Sequence, residues 1–437
     1  MGARETALNV LLTCRKEGGW SNSVLKKYAA QDRLDSRDSA LAARLCYGVL
    51  QNRNCLDFYL RQLLTGKAKS LHPIVRDILH MGLYQLYFMD KIPESAAVNE
   101  SVNLAKAYCR KQQNAAGLIN GVLRSAIRTK GTLQEPVSWA DKYSHPEELI
   151  NLLKAYVGKG RIEPMLQANN SVAPMAVQVN TLRISTDALM QRLQTEGVTA
   201  QLHPWLSDCL ILTGTGDLEK LPSFREGLFY VQDPAAKLSV LCAQLKPGQQ
   251  VLDCCAAPGG KSFAAAIAME EKGAIVSCDI YPHKVELIQK GAKRLGIHII
   301  TASQQNATVF CPQWQDAFDT VIADVPCSGL GIIRKKPDIR YKDLSALAEL
   351  PALQEKILNN AARYVKPGGL LLYSTCTLTL AENEGMVESF LRTHPNYSTE
   401  PLPLGVPFPK NESGMLALVP GEYDTDGFFI CRLRRNV

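Results

Sequence analysis

The spacing of apolar residues changes character near residue 229, and that change restricts the folds open to the chain. Beyond it, short apolar runs alternate with amphipathic stretches of helical period. Strands are expected at Gln250–Cys255, Ala274–Cys278, His298–Ala302, Thr320–Ala323 and Gly369–Ser374. Helices are expected at Gly260–Glu270, Pro282–Leu295, Leu344–Tyr364 and Glu382–Arg392. Such alternation requires parallel strands joined by right-handed crossovers, hence a doubly wound, Rossmann-like α/β sheet. A last run, Gly427–Leu433, is expected to pair antiparallel at or near an edge.

Ahead of residue 229 the pattern differs. Ala3–Leu12, Ser39–Leu64, Pro73–Met89, Ser95–Arg110 and Asn114–Arg128 each read as helix, with Asp38 or Ser39 as a cap for the second. No strand-like alternation interrupts them, so an all-α domain is expected over residues 1–145. The polar stretch Gly131–Pro146 reads as its linker. Residues 146–228 mix helix (within Pro146–Asn169 and at Thr186–Glu196) with strand (Ala176–Thr181 and Cys209–Leu212), and are expected to form a small α+β linker or RNA-recognition segment. The alternating domain occupies residues 229–437.

Charge follows the same division. The net charge is +7, but residues 1–145 carry +9 and the remainder −2. A basic helical module joined to a near-neutral body suits a polyanion such as nucleic acid. There is no apolar window long enough to cross a bilayer, and Met1–Val10 lacks the core of a signal peptide. A cytoplasmic location and no membrane partner are therefore expected. The 13 cysteines include no Cys-x-x-Cys pair and the 7 histidines do not cluster with them, so no disulfide framework and no metal site are expected.

Three motifs fall at expected strand ends. Asp253-Cys254-Cys255-Ala256-Ala257-Pro258-Gly259-Gly260-Lys261 follows one strand and opens a helix, where glycines admit a ligand close to the backbone and the helix N-terminus favours an anionic group. Asp279 ends the next strand, where folds of this type place an acid for ribose hydroxyls. Asp324-Val325-Pro326-Cys327-Ser328-Gly329 and Tyr373-Ser374-Thr375-Cys376-Thr377 end two further strands. Ligands sit at the carboxyl ends of strands in such sheets, so Asp324, Cys327 and Cys376 are expected to share one cleft with the glycine turn. One cysteine there could be an ordinary small buried residue. Two beside one pocket suggest chemistry, and a thiol suits attack on an electron-poor ring carbon.

These motifs, with Gln232-Asp233-Pro234-Ala235-Ala236, Arg334–Asp338 and Asp426-Gly427-Phe428-Phe429, closely resemble the 5-methylcytosine RNA methyltransferases of the Nol1/Nop2/Sun family. The likeness is closest to the bacterial branch acting on 16S ribosomal RNA. It spans residues 229–433, and its paired Pro-Cys and Thr-Cys motifs separate the family from DNA cytosine methyltransferases. Residues 1–145 resemble the helical RNA-binding NusB fold.

The resemblance implies S-adenosylmethionine as cofactor, with Cys255, Ala256, Ala257, Pro258, Gly259, Gly260 and Lys261 lining its pocket and Asp279 holding the ribose. Asn306 stands where the family has Asp beside the adenine, which implies a changed contact. Cys376 is implied as nucleophile toward carbon 6, Asp324 as a partner of the base (protonated or sharing a base proton) that also borders the cofactor, and Cys327 as the group that helps remove the carbon 5 proton. The implied partner is small-subunit ribosomal RNA with a single-stranded or splayed cytosine, and the implied state is a monomer. Arg44, Arg53, Arg61, Arg124 and Arg128 are candidate phosphate contacts.

Three other functions compete. A transfer-RNA cytosine-5 methyltransferase of the same family would not need the NusB-like domain. A non-catalytic RNA-binding or ribosome-assembly factor would need neither thiol, and a small-molecule methyltransferase would not need the basic helices.

Overall fold

The computed structural model describes residues 2–17, 21–64 and 71–437. The chain divides into two compact units, Met1–Lys154 with Ile333–Lys342, and Ala155–Ile332 with Asp343–Val437.

The first unit is helical, as the sequence indicates. Its core is built from apolar faces that include Leu8, Leu45, Leu56, Ile78, Leu79 and Leu123, all fully buried. The stretch read as one helix over Ser39–Leu64 is two, Ser36–Gln51 and Arg53–Leu63, separated at Asn52. The Gly48 carbonyl accepts both the Asn52 backbone N–H at 3.1 Å and its side-chain amide at 2.9 Å, which closes the first helix. The cap is Asp35 rather than Asp38 or Ser39: its carboxylate accepts the Asp38 N–H at 2.7 Å, so the helix begins one turn earlier. A further helix, Ser21–Gln31, escapes the periodicity because Leu25 is the one large apolar side chain it buries fully. Residues Ile333–Lys342 belong here. The Arg340 guanidinium is buried and donates to Gln51 O at 2.8 Å and Tyr143 O at 3.2 Å, while the Tyr341 hydroxyl donates to Leu50 O at 3.1 Å.

The second unit holds two sheets. A four-stranded antiparallel sheet has order β2-β3-β1-β4, with β1 Met175–Val179, β2 Thr199–His203, β3 Leu206–Thr213 and β4 Phe229–Val231. The eight-stranded sheet uses β5 Gln250–Asp253, β6 Ala274–Asp279, β7 Ile300–Gln304, β8 Phe318–Asp324, β9 Val365–Thr375, β10 Tyr397–Thr399, β11 Met415–Leu418 and β12 Phe428–Arg435. Its order is β10-β12-β9-β8-β5-β6-β7, with β11 added to β12.

Strands β5 to β9 are mutually parallel and β12 runs antiparallel against β9. The chain steps outward in one direction from β5 through β6 to β7, then returns to β8 on the other side of β5. That reversal opens a crevice at the carboxyl ends of β5 and β8, where such sheets bind ligands. Helices Gly260–Ala268, Pro282–Leu295 and Leu350–Tyr364 provide crossovers.

Beside this crevice two glycines pack backbone to backbone. The Gly331 N–H donates to Cys376 O at 3.0 Å, and the Gly427 N–H donates to Gly331 O at 2.8 Å. A Cβ on Gly331 would stand 2.1 Å from Gly427 O and 2.8 Å from Cys376 O. Neither obstacle is a side chain that can swing away. Gly331→Ala should therefore cost on the order of 1–3 kcal/mol and lower the thermal midpoint in calorimetry. An unchanged midpoint would contradict this packing.

Candidate active site

The glycine turn follows β5 directly. The Ala256 N–H donates to Cys278 O at 2.7 Å and the Gln305 N–H donates to Asp279 O at 3.1 Å. These bonds tie the turn after β5 to β6, and β6 to the loop after β7, in one row along the sheet's carboxyl edge. Cys255 through Gly260, Asp279 and Asn306 lie along that row. Gly259 has φ of +110°, a conformation L side chains rarely adopt, and a Cβ there would lie 2.4 Å from the Phe263 ring. Gly260 opens the next helix, so its backbone N–H groups have no intrahelical acceptor.

The donor set suits a nucleoside carrying a carboxylate. The Asp279 carboxylate accepts the Tyr281 N–H at 3.1 Å and lies 3.6 Å from Lys284 Nζ. The Asn306 amide oxygen accepts from the Thr308 N–H at 3.0 Å and hydroxyl at 2.8 Å, which leaves the amide NH2 as the group Asn306 can offer a ligand.

Asp253 lies beneath the turn, fully buried. Its carboxylate accepts the Ser262 hydroxyl at 2.7 Å, and Ser277 stands 2.7 Å from Ser262. Burial pushes the Asp253 carboxyl up to about 7. Because the folded pKa is raised, the native state holds an extra proton between about pH 4 and this value, and stability falls as pH rises through that window. Asp253→Asn keeps a neutral acceptor for Ser262. It should match the parent near pH 4 (about the unfolded pKa) and exceed its urea midpoint at pH 8 by an amount worth a few kcal/mol. Parallel stability–pH curves for the two proteins would refute this account.

The other motifs meet one strand over. In the β8/β9 register Asp324 lies opposite Ser374, and the Ser374 hydroxyl donates to Asp324 Oδ1 at 2.7 Å. Lys261, read from the sequence with the cofactor turn, reaches Asp324 Oδ2 at 2.7 Å and lies 5.1 Å from the Phe428 ring centre. Burial works against the Lys261 charge. The Asp324 carboxylate and its hydrogen bond outweigh that cost, so the Lys261 pKa is raised.

Cys327 Sγ and Cys376 Sγ are 3.2 Å apart. The Cys327 thiol is pushed well above the ordinary range by its hydrogen bond with Cys376, then by burial and by the charges of Cys376, Glu382 and Asp324. Either sulfur can donate in this contact, so the two thiols share one proton-bearing contact at the rim. Asn383 brackets Cys376: its amide oxygen accepts the Thr375 hydroxyl at 2.6 Å and its NH2 donates to Thr377 O at 3.1 Å. Sequence reasoning gave no role to Lys261 beside Asp324, to Ser374, or to Glu382 and Asn383. The one available signal was the Glu382-Asn383-Glu384 run soon after Cys376.

Among the described residues no group of three or more His, Cys, Asp or Glu could hold a metal ion, and no helix is long and apolar enough to cross a membrane.

A sheet of this order, with a glycine turn after its first parallel strand and an acid after the second, defines an S-adenosylmethionine-dependent methyltransferase. Residues 240–434 match the family model described as 16S rRNA methyltransferase RsmB/F, residues 1–128 match the NusB family, and residues 145–219 match the RsmF/B-like ferredoxin-like domain. The chain is 34% identical to the "Probable ribosomal RNA small subunit methyltransferase B" of Bacillus subtilis (strain 168), covering 99% of this chain and 98% of that one. It is 34% identical to the "Ribosomal RNA small subunit methyltransferase B" of Vibrio vulnificus (strain YJ016), covering 98% of each. The crystal structure of PH0851 aligns over 99% of this chain and 97% of its own, at 25% identity and a TM-score of 0.81. The chain belongs to the RsmB/F family of 16S rRNA methyltransferases.

Proposed function

We propose that the protein methylates carbon 5 of a cytosine in small-subunit ribosomal RNA through a covalent bond between Cys376 Sγ and carbon 6 of the base. The observation that carries this reading is the Cys327–Cys376 pair, 3.2 Å apart, on the rim that also holds Asp324 and Lys261. One thiol suffices for an adduct. A second supplies the proton acceptor that releases it.

The family likeness of the Thr-Cys motif assigns the attack to Cys376, whose proton passes to solvent, and the release step to Cys327. Attack forms the S–C6 bond and moves the C5=C6 electron pair toward carbon 5. The Lys261–Asp324 pair fits the Watson–Crick edge of cytosine: the ammonium donates to O2 and N3, and the carboxylate accepts from the amino group. Uracil presents a donor at N3 and an acceptor at position 4, so it would set donor against donor and acceptor against acceptor. When bound, S-adenosylmethionine supplies the methyl group as an electrophile on a sulfonium centre. Cys255 to Gly260, Asp279 and the Asn306 amide would hold it. For release, Cys376 is bound as a thioether and no longer holds the Cys327 proton, so that proton passes to solvent and the Cys327 thiolate takes the carbon 5 proton. The C5=C6 bond re-forms and the S–C6 pair returns to Cys376.

The NusB-like unit and the names of the relatives support ribosomal RNA as the substrate. The target base must leave its stack to reach two strand-end thiols, which favours a loop or splayed nucleotide. Arg44, Arg124 and Arg128 are exposed and suit phosphate contacts. Arg53 lies over the Tyr341 ring and Arg61 pairs with Asp141 at 3.1 Å, so these two have structural partners already.

Bisulfite mapping of small-subunit rRNA from a deletion strain should show the loss of one 5-methylcytosine, and an unchanged map would overturn the substrate assignment. In vitro, Cys376→Ala should abolish transfer with cofactor affinity nearly intact; normal turnover would remove Cys376 from the chemistry. Cys327→Ala should accumulate an RNA–protein adduct that survives denaturing electrophoresis. Absence of that band on a confirmed substrate would exclude Cys327 as the release group.

A further inference from the structure

The most heavily hydrogen-bonded carboxylate beside the two thiols belongs to Glu382, a residue that touches neither sulfur in the bonds described above. It is 3% exposed. Oε2 accepts the Ser328 N–H at 2.9 Å and the Gln354 side-chain amide at 2.9 Å. Oε1 accepts the Ser328 hydroxyl at 2.6 Å and the Thr379 hydroxyl at 3.0 Å. Gln354 Nε2 also donates to Pro326 O at 2.9 Å, and the Ser328 hydroxyl lies 2.5 Å from Thr377 Oγ1. The donors come from the loop after β8, the loop after β9 and the helix Leu350–Tyr364. The glutamate's own carbonyl accepts the Tyr373 hydroxyl at 2.7 Å.

Cys327 stands between Pro326 and Ser328, and both neighbours are fixed by this network. Cys376 has further partners of its own, through the Asn383 bonds to Thr375 and Thr377 and the Gly331 N–H, and the two networks meet at the Ser328–Thr377 contact. The carboxylate itself grips both residues that flank Cys327, through Ser328 directly and Pro326 by way of Gln354, and neither residue that flanks Cys376. Four donors meet one carboxylate, a demand only an all-acceptor group can meet. A glutamine there would turn its NH2 toward two of the donors, and the loop carrying Cys327 would have to shift.

We propose that Glu382 is a positioning residue that sets where the Cys327 thiol stands, and so governs release of product from Cys376 rather than attack by it. This rests on the covalent reading above. The charge of Glu382 also helps to keep the Cys327 proton in place.

The test uses the full chain, its RNA substrate and S-adenosylmethionine, with Cys327→Ala in parallel. Glu382→Gln should lower kcat about 10- to 100-fold, less than the roughly 10²- to 10⁴-fold that loss of a general base outright would cost, because the base is displaced and not removed. The cofactor affinity should change less than about twofold, and the KM for RNA should fall along with kcat, since slowing a step after adduct formation lowers both and leaves kcat/KM nearly intact. Glu382→Gln should also accumulate the denaturant-resistant adduct, and Glu382→Asp, which keeps the carboxylate, should partly restore turnover. A purely structural role would lower adduct formation and turnover together. Adduct in Cys327→Ala but none in a folded Glu382→Gln overturns the proposal, as does parental turnover in Glu382→Gln. If Glu382→Gln does not fold, Gln354→Met decides. It removes the donor that links Glu382 to Pro326 O and should accumulate adduct to a smaller extent; a folded Gln354→Met without adduct overturns the proposal. If Cys327→Ala itself yields no adduct, the covalent reading fails and this inference falls with it.

Discussion

The register of β8 against β9 is the constraint on which the site depends. Asp324 lies opposite Ser374 because the two strands pair in parallel with Ala323 facing Tyr373. Parallel pairing makes both strands end on the same rim, so the loops carrying Cys327 and Cys376 leave side by side. A slip of one residue would invert every side chain on one strand relative to the other. It would send Asp324 away from Lys261 and part the sulfurs. The apolar residues that resist such a slip, Val321, Ile322, Ala323, Leu371, Leu372 and Tyr373, are all fully buried. The precision of two sulfur atoms is therefore set by packing along the strands that lead to them.

Much of this was legible in the sequence because it is periodic or punctuated. Alternation of strand and helix dictates parallel pairing, and the strand-end rule places Asp324, Cys327, Cys376 and the glycine turn on one rim. Pro282–Leu295 matches the observed helix at both ends, since proline opens it and Gly296, at φ of +70°, closes it. The antiparallel β12 was legible as a strand, although β11 also pairs with it and β10 lies outside it. Short elements such as β4, β10 and β11 carry too few residues to show a period.

What stayed hidden arises from contacts between residues distant in the chain. Glu382 read as a helix start, yet its four donors are separated from it by as many as 54 residues. Lys261 read as part of a ligand turn, whereas its partner Asp324 lies 63 residues on. The break at Asn52 was missed because its apolar neighbours keep helical spacing across it, and spacing alone cannot register one residue whose backbone departs from the helix.

The ten residues Ile333–Lys342 have a consequence for how such a protein can change over generations. The strand that ends at Asp324 leads, through the loop bearing Cys327, into a stretch whose Tyr341 bonds the Leu50 carbonyl 291 residues earlier. The helical portion is therefore no detachable accessory at the front of the gene. Deleting it would strand the Arg340 guanidinium without the carbonyls that solvate it, so a lineage discarding those helices would have to rewrite this stretch as well.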